Sequence, residues 1–331
     1  MTSLLNVSGL TTHFYTQDGV VKAVDGVSFD IEPAETVAIV GESGCGKSVS
    51  ALSVLRLIPE PPGRIVKGQV VFEGTDLLGL PPSAMQGVRG GRISMIFQEP
   101  LTSLNPVLTI GRQISESLEL HQKMNPADAL KETARLLKLV GIPQPERRMR
   151  EHPHKFSGGM RQRVMIAMAI SCRPRLIIAD EPTTAVDVTV QAQLLELLRE
   201  LASQFDTALM LITHNLGMVA RHANRIYVMY AGRVVEHGSC GDVFSRPRHP
   251  YTVALLNSVP RLDEARKMRL DPIGGQPPDL IYPPAGCPFH PRCRYKVDDC
   301  LASTPPLAPV DSTHHSACVL AHNGKAPWLR T

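Results

Sequence analysis

Residues Gly41–Ser48 read GESGCGKS, which matches the spacing G-x-x-x-x-G-K-S of a phosphate-binding loop. The run Thr36–Val40 before the loop is apolar and rich in β-branched residues, and apolar side chains follow a helical spacing from Ser48 onward. A strand, a glycine loop and a helix in this order bring backbone N–H groups and the positive end of a helix to a phosphate. The stretch therefore predicts a nucleotide triphosphate site in an α/β fold.

The polar residues of this loop have distinct expected roles. Lys47 is predicted to reach the β- and γ-phosphates, and the hydroxyl of Ser48 is predicted to bind Mg²⁺. The other predicted nucleotide-binding positions of the stretch are Gly41, Ser43, Gly44, Cys45, Gly46 and Val49.

A second motif consists of an apolar run that ends in two carboxylates. Leu176–Ala179 reads as a buried strand, and Asp180 and Glu181 follow it directly. Open α/β sheets bind ligands at the carboxyl ends of their strands. Adjacent carboxylates are common on surface turns, but after such a strand we expect Asp180 to hold the Mg²⁺ shell. Glu181 is the candidate general base that polarises the attacking water.

The rest of the chain alternates strand and helix signals. Residues 4–36 read as short strands and turns, and residues of about 100 to 160 turn helical and polar, with Ala129–Val140 the clearest amphipathic stretch. Alternating strands and helices predict a mainly parallel sheet. The further predicted strands and helices are Ile93–Phe97, Ala208–Ile212, Arg225–Tyr230, Val190–Ala202 and a helix around Met218.

A third motif, Phe156–Met160, reads FSGGM and opens a predicted helix that runs to about Ile170. In chain order the phosphate loop comes first, FSGGM second and the apolar run ending in Asp180 and Glu181 third. This ordered set resembles the nucleotide-binding subunits of ATP-binding-cassette (ABC) machines, from about residue 4 to residue 260. The resemblance implies an α/β fold of the ABC-type P-loop NTPase class, with a mainly parallel core sheet and an N-terminal antiparallel β subdomain. It also implies an inserted α-helical subdomain at about 100–160. We expect a nucleotide-binding domain at 1–260 and a Cys-rich C-terminal extension at 261–331.

The same resemblance implies roles for single residues. Gln98 would sense Mg²⁺ and the lytic water, and His214 would contact the γ-phosphate. Phe14 would stack on adenine, with Tyr15 as the neighbouring alternative. Asp187 would belong to a loop that links two nucleotide sites.

Ser157, Gly158 and Gly159 would complete the nucleotide site of a partner subunit across a dimer. Two glycines at a helix start allow close backbone approach, and the helix N-terminus attracts anions. The chain departs from the usual family pattern with Phe156 for Leu and Met160 for Gln. Since Ser157–Gly159 is intact, we expect a working site with altered fine contacts.

Three stretches resemble the D-type ATPase subunit of dipeptide and oligopeptide importers. They are the segment 98–106, QEPLTSLNP; the segment 181–193, EPTTAVDVTVQAQ; and a tail with HPYT at 249–252 and GQPPDL at 275–280. This resemblance implies a homologous F-type ATPase partner, two transmembrane permease subunits and an extracytoplasmic substrate-binding protein. The expected location is peripheral, on the cytoplasmic face of a bacterial plasma membrane.

Other cargoes and functions stay open on the sequence alone. Close relatives of this ATPase serve importers of nickel, glutathione and cationic peptides. A soluble ABC protein of translation or DNA repair is disfavoured, because such proteins carry two cassettes or a long coiled coil and this chain shows no sustained heptads. Few aromatic residues (5%) give no platform for stacked bases, so we expect no nucleic-acid partner. No apolar stretch is long enough to span a bilayer, and the N-terminus lacks the features of a signal peptide.

Four of the seven cysteines fall in the tail, at Cys287, Cys293, Cys300 and Cys318. Their spacing contains no C-x-x-C pair of common zinc sites and matches neither ferredoxin pattern. By resemblance to the D-type importer subunits, a 4Fe–4S cluster is the leading interpretation, with zinc or unliganded thiols as alternatives. The nearby histidines are expected to be solvated rather than ligands: His290, His314 and His315.

Overall fold

The computed structural model describes residues 3–98, 103–182, 188–258 and 273–329. The chain divides into two compact units, which are described separately. The first unit comprises Met1–Ser3, Ile31–Glu35 and Gly79–Leu211, and the second comprises Leu4–Asp30, Thr36–Leu78 and Ile212–Thr331.

The strands of the described ranges confirm the α/β class. They are β1 (Leu5–Thr16), β2 (Gly19–Ile31), β3 (Thr36–Val40), β4 (Gly63–Phe72), β5 (Thr75–Asp76), β6 (Ile93–Ile96), β7 (Leu176–Asp180), β8 (Ala208–Thr213), β9 (Arg225–Tyr230), β10 (Arg233–Ser239), β11 (Ala308–Pro309) and β12 (His315–Ser316).

Helices alternate with these strands. They are α1 (Lys47–Val54), α2 (Pro82–Val88), α3 (Ile110–His121), α4 (Pro126–Leu139), α5 (Pro145–Arg148), α6 (Gly158–Ile170), α7 (Val188–Gln204), α8 (Leu216–His222), α9 (Cys240–Ser245), α10 (Pro250–Asn257), α11 (Asp299–Ala302) and α12 (Val319–His322). Within the described ranges, none of these helices has both the length and the apolar character that a membrane crossing requires.

The second unit contains an N-terminal sheet in the order β2-β1-β4-β5. β1 runs antiparallel to β4, from the pair Leu5–Phe72 to the pair Phe14–Gly63. The expectation of short strands here is wrong, because β1 spans 12 residues and β2 spans 13. Gly26 lies inside β2 with φ at +74°, a conformation that glycine adopts without the strain of a Cβ. The glycine therefore bends the strand and does not end it.

Each unit also contains strands of the α/β part of the fold, and their order is given for each unit separately. In the second unit the order is β11-β12-β10-β9-β3, with β3 and β9 parallel, and β10 antiparallel to both β9 and β12. In the first unit the order is β8-β7-β6, and β6 pairs with β7 in parallel. The predicted buried strands thus form, with ends that shift by at most one residue.

The helical stretch of the first unit is built from helices with clear N-caps. α3 packs against α4, and both contact α6. Thr109 accepts a hydrogen bond from the backbone N–H of Arg112 at the start of α3, and Asn125 accepts one from Asp128 at the start of α4. Such caps satisfy N–H groups that the first helical turn leaves without an intrahelical partner. Local sequence therefore fixes where these helices begin.

The C-terminal segment, residues 273–329, joins the second unit through a buried carboxylate. Glu236 on β10 accepts hydrogen bonds from the backbone N–H groups of Arg248 at 2.5 Å and His249 at 2.8 Å. Its Oε1 also lies 2.7 Å from Nε2 of His314, and neither side chain has any exposed surface. The expectation that His314 is solvated is therefore wrong. His314 is buried because β12, which follows it directly, pairs with β10 and carries the histidine to Glu236.

Replacing Glu236 with alanine should lower the free energy of unfolding by about 3 to 5 kcal/mol, the usual cost of removing one partner of a buried pair. The variant would leave two backbone N–H groups and the His314 ring without their shared acceptor. Urea unfolding of the full chain, followed by circular dichroism, measures the change. Glu116→Ala, which removes an exposed glutamate on α3, is the control and should change stability by less than about 0.5 kcal/mol. Equal effects of the two variants would contradict the prediction.

Candidate functional site

The phosphate-loop motif forms a turn between β3 and α1 in the second unit. Lys47 is buried, with 5% of the residue exposed, and its Nζ donates to the carbonyl oxygens of Gly41 and Glu42, both at 2.9 Å. The Sγ of Cys45 lies 3.7 Å from the same nitrogen. The ammonium group therefore draws the two ends of the loop together. Ser43 and Gly44 are exposed at the tip, whereas Ser48 and Val49 are half-buried at the start of α1.

Two glycines of the loop lie where a side chain would collide with backbone. A Cβ at Gly41 would overlap the carbonyl oxygen of Met229, and one at Gly46 would overlap that of Ala23. Both glycines also have positive φ, +153° and +99°. Gly46 caps α1, which begins at Lys47. The spacing of the motif thus has a steric cause, because close packing and left-handed backbone both require glycine here.

Phe14, the candidate for stacking on adenine, lies near the end of β1 in the same unit. It pairs with Gly63 of β4 and is half-buried, while Tyr15 is 50% exposed. His214, also in the second unit, is exposed between the end of β8 and the start of α8. The backbone around it is held by Asn215, whose side chain caps α8 and whose N–H donates to the Thr213 hydroxyl at 3.0 Å.

The predicted catalytic carboxylates lie in the first unit, at the end of β7. Because β6 and β7 are parallel, their carboxyl ends meet at one edge, and Ile96 pairs with Ala179 there. Gln98, two residues beyond β6, donates from Nε2 to Oε2 of Glu181 at 3.0 Å. The structure therefore brings together two residues that lie 83 positions apart in the sequence.

Asp180 and Glu181 differ sharply in environment although they are adjacent. Asp180 is buried with 5% exposed, whereas Glu181 is half-buried and has φ at +45°. A glutamate in the left-handed region is uncommon, and such backbone strain is typical of functional positions. The turn aims the second carboxylate away from the strand and towards the Gln98 amide.

Ser157–Gly159 form the start of α6 in the first unit. The hydroxyl of Ser157 accepts a hydrogen bond from the N–H of Met160 at 3.4 Å, so Ser157 is the N-cap. Ser157 and Gly158 are exposed, and Phe156 is buried at 3%. The motif thus presents a helix N-terminus on the surface. The predicted linking residue Asp187 and the segment 99–102 lie outside the described residues.

The four tail cysteines, Cys287, Cys293, Cys300 and Cys318, line one small cavity in the second unit. Burial, with smaller contributions from the neighbouring thiols, raises the pKa of Cys287 to about 11; burial also raises the pKa of Cys318 to about 11. Within the described residues, no three His, Cys, Asp or Glu side chains converge closely enough to hold a single metal ion. The cysteines thus share a cavity without forming a compact single-ion site.

Sequence reasoning missed the surroundings of Glu42, the second residue of the phosphate loop. Its backbone N–H donates to the Tyr251 hydroxyl at 2.8 Å, and its carboxylate pairs with Arg292 of the C-terminal segment. Motif spacing treats Glu42 as a variable position. An ion-pair partner 250 residues away leaves no signal in the sequence around Glu42. Arg292 does lie next to Cys293, one of the four tail cysteines, and only that neighbour could have drawn attention to it.

Comparison with known proteins finds family models and relatives whose descriptions agree with one another. Residues 24–184 match the family model described as ABC transporter, and residues 235–300 match the one described as oligopeptide/dipeptide transporter, C-terminal region. The chain is 51% identical to a probable peptide ABC transporter ATP-binding protein of Sinorhizobium fredii, over 95% of this chain and 94% of the relative. It is 50% identical to the oligopeptide transport ATP-binding protein OppD of Bacillus subtilis, over 97% of this chain and 90% of the relative.

Solved structures agree on the fold. The dimeric ATP-binding cassette MJ0796 bound to ADP and Pi superposes with a TM-score of 0.64 at 24% identity, covering 71% of this chain and 98% of that one. A second dimeric structure of MJ0796, described as a bacterial ABC transporter cassette, gives a TM-score of 0.61 at 26% identity, with the same coverage.

Replacing Glu181 with glutamine should lower steady-state ATP hydrolysis by about a hundredfold or more, because an amide cannot accept the proton of the attacking water. ATP affinity should stay close to that of the wild type. Phosphate release and equilibrium nucleotide binding are the two measurements. Glu200→Gln makes the same chemical change at an exposed position of α7 and should leave both unchanged. Near-normal turnover of Glu181→Gln would remove Glu181 from the role of general base.

Proposed function

The chain belongs to the ABC transporter family as an ATP-hydrolysing subunit, and we propose that the transporter it powers imports dipeptides or oligopeptides. The observation that carries this proposal is the likeness to peptide-transport ATPases along almost the whole chain, including the C-terminal region characteristic of oligopeptide and dipeptide transporters. Relatives named for peptide transport share 50% and 52% of their aligned residues with this chain.

The proposed ATP site combines the residues described above in their family roles. The N–H groups of the phosphate loop face the β-phosphate, and Lys47 exchanges its carbonyl partners for oxygens of the β- and γ-phosphates. By the family resemblance, Ser48, Gln98 and Asp180 would hold Mg²⁺, which would neutralise charge on the phosphates. The 3.0 Å contact between Gln98 and Glu181 supports a role for Gln98 in orienting the water that Glu181 polarises. Phe14 and His214 contact the adenine and the γ-phosphate in this proposal.

We further propose that two ATPase subunits close on ATP and that Ser157, Gly158 and Gly159 complete the site of the partner. The exposure of Ser157 and Gly158 at the start of α6 leaves the helix N-terminus accessible to a nucleotide held by another chain. The similar ABC transporter cassette MJ0796 is dimeric, which supports this arrangement. The proposed partner is a homologous F-type subunit.

The remaining partners follow from the proposed transport reaction. Two permease subunits form the path for the peptide, and an extracytoplasmic binding protein delivers it. The ATPase pair lies peripherally on the cytoplasmic face of the membrane, and residues of about 100–160 transmit its opening and closing. In this scheme residues 1–260 form the nucleotide-binding domain and residues 261–331 the extension.

Reconstitution of the transporter with its permeases and binding protein tests the cargo. We expect di- and oligopeptides to stimulate ATP hydrolysis several-fold, since substrate delivery favours closure of the ATPase pair. Nickel, glutathione and cationic peptides complete the ligand panel, and the Glu181→Gln transporter provides the background rate. Stimulation by nickel with none by peptides would overturn the peptide proposal and leave the ATPase reaction intact.

We propose that the tail cysteines bind a 4Fe–4S cluster. A single zinc ion needs all four sulfurs at about 2.3 Å from one point, whereas a 4Fe–4S cluster spreads its four thiolates over four irons. The four tail cysteines line one cavity, which either group requires, and the resemblance to the D-type importer subunits favours the cluster. The raised pKa values of Cys287 and Cys318 mean that these thiols need a cation nearby to ionise. The proposed role is structural and lies outside ATP hydrolysis.

Anaerobic purification followed by assays of iron, acid-labile sulfide and zinc tests this site. We expect about four iron and four sulfide per chain, and Cys293→Ser should lose most of both. Cys172→Ser is the control, because Cys172 is a buried cysteine of the first unit; it should retain the metal. Zinc without sulfide in the wild-type protein would contradict the cluster.

A further inference from the structure

Arg292 of the C-terminal segment has an almost fully buried guanidinium, with 4% of its side chain exposed. Its terminal nitrogens bind the two carboxylate oxygens of Glu42 at 2.7 and 2.9 Å. Its other N–H groups reach the Tyr230 hydroxyl at 3.3 Å, the Ile273 carbonyl at 3.3 Å and the Gly274 carbonyl at 2.9 Å. Arginine has five N–H donors, and each of them has an acceptor here. The site is therefore built for a guanidinium rather than for any cation.

Glu42 is held at every polar group it has. Its N–H donates to Tyr251, its carbonyl oxygen accepts from Lys47, and its carboxylate binds Arg292. The backbone of this residue is part of the loop that is proposed to surround the phosphates. Because three separate contacts fix Glu42, its conformation cannot change without breaking at least one of them. Of these three contacts, only the one with Arg292 involves the C-terminal segment, residues 273–329.

Aromatic rings hold both partners of this ion pair in place. Phe289, with 3% exposed, packs against Tyr230 at 5.3 Å and Tyr251 at 5.4 Å between ring centroids. The guanidinium carbon of Arg292 lies 5.8 Å from the centroid of Tyr230 and 6.0 Å from that of Phe289. Arginine stacks favourably on such rings. The C-terminal segment therefore holds the guanidinium of Arg292 in a fixed position against the phosphate loop.

The charges of Glu42 and Arg292 have a consequence for nucleotide binding. The carboxylate of Glu42 is a negative charge within a loop that is proposed to receive a triphosphate. Like charges at short range in a partly buried site repel by amounts that matter for affinity. The bidentate pair with Arg292 neutralises the carboxylate and fixes its position.

We propose that Arg292 is a positioning residue for ATP binding, which fixes and neutralises Glu42 so that the C-terminal segment sets the nucleotide affinity of its own chain. This inference rests on the proposed role of Gly41–Ser48 as the ATP site. It assigns to the tail a function in the nucleotide site that is separate from any group held by its cysteines.

A double-mutant cycle between Arg292 and Glu42 tests the proposal on the full chain. Arg292→Ala should weaken equilibrium ATP binding by about tenfold, which corresponds to about 1.4 kcal/mol. Adding Glu42→Gln to that variant should restore affinity to within about threefold of the wild type, because the double variant has no unpaired carboxylate and the same net charge as the intact pair. Unchanged binding by Arg292→Ala would overturn the proposal, and so would a double variant as weak as the single one.

Arg225→Ala is the matched control for a purely structural effect. Arg225 makes a two-nitrogen contact with Asp30 in the same unit, at 2.8 and 3.3 Å, but this pair does not include the phosphate loop. We expect Arg225→Ala to lower the thermal midpoint and leave ATP affinity unchanged. An equal loss of affinity in this control would show that any lost ion pair weakens binding, and it would overturn the assignment to Arg292.

Two further variants keep the outcomes distinct. If Arg292→Ala does not fold, Arg292→Lys retains the charge but offers three donors in place of five, and it should still weaken ATP binding measurably; wild-type affinity would overturn the proposal. Lys47→Ala should abolish ATP binding. Retained binding in that variant would refute the ATP site itself, whereas loss there with normal binding in Arg292→Ala would refute the role of Arg292 alone.

Discussion

The buried ammonium group of Lys47 organises the phosphate loop of the second unit. It is nearly inaccessible, and the groups within hydrogen-bond distance are two carbonyl oxygens and a sulfur rather than a carboxylate. A buried cation without a full counter-charge is costly, and it favours an anion strongly. The glycines at 41 and 46 permit the tight turn that places it there, and the surrounding backbone of Ala23 and Met229 leaves no space for a larger residue. The phosphate preference proposed for this loop therefore rests on packing as much as on charge.

Local signals in the sequence predict the elements and the motifs well. The start of α6 is an example, since Ser157 is both the first residue of a motif and the N-cap that the helix requires. The predicted strands β6 and β7 are a second example, and their parallel pairing brings Gln98 and Glu181 to the same edge. These predictions succeed because the responsible interactions lie within a few residues or within one strand pair.

Predictions fail where distant parts of the chain decide the outcome. His314 reads as a surface residue among polar neighbours, yet the pairing of β12 with β10 carries it into contact with the buried Glu236. Gly26 reads as a strand breaker, yet it lies inside a long strand. The ion pair between Glu42 and Arg292 joins the phosphate loop to the tail across 250 positions. No periodicity or motif spacing encodes such contacts, since they depend on how the C-terminal segment packs.

The short strands β11 and β12 of the C-terminal segment form one edge of the sheet in the second unit. β12 pairs with β10, and β11 follows as the outermost strand, with only Ala308 and Pro309. Proline has no N–H to donate, and a two-residue strand offers little for another chain to pair with. A chain cut before this segment would instead present the seven-residue β10 as an open edge. The tail thus replaces a seven-residue edge with a two-residue edge that contains a proline.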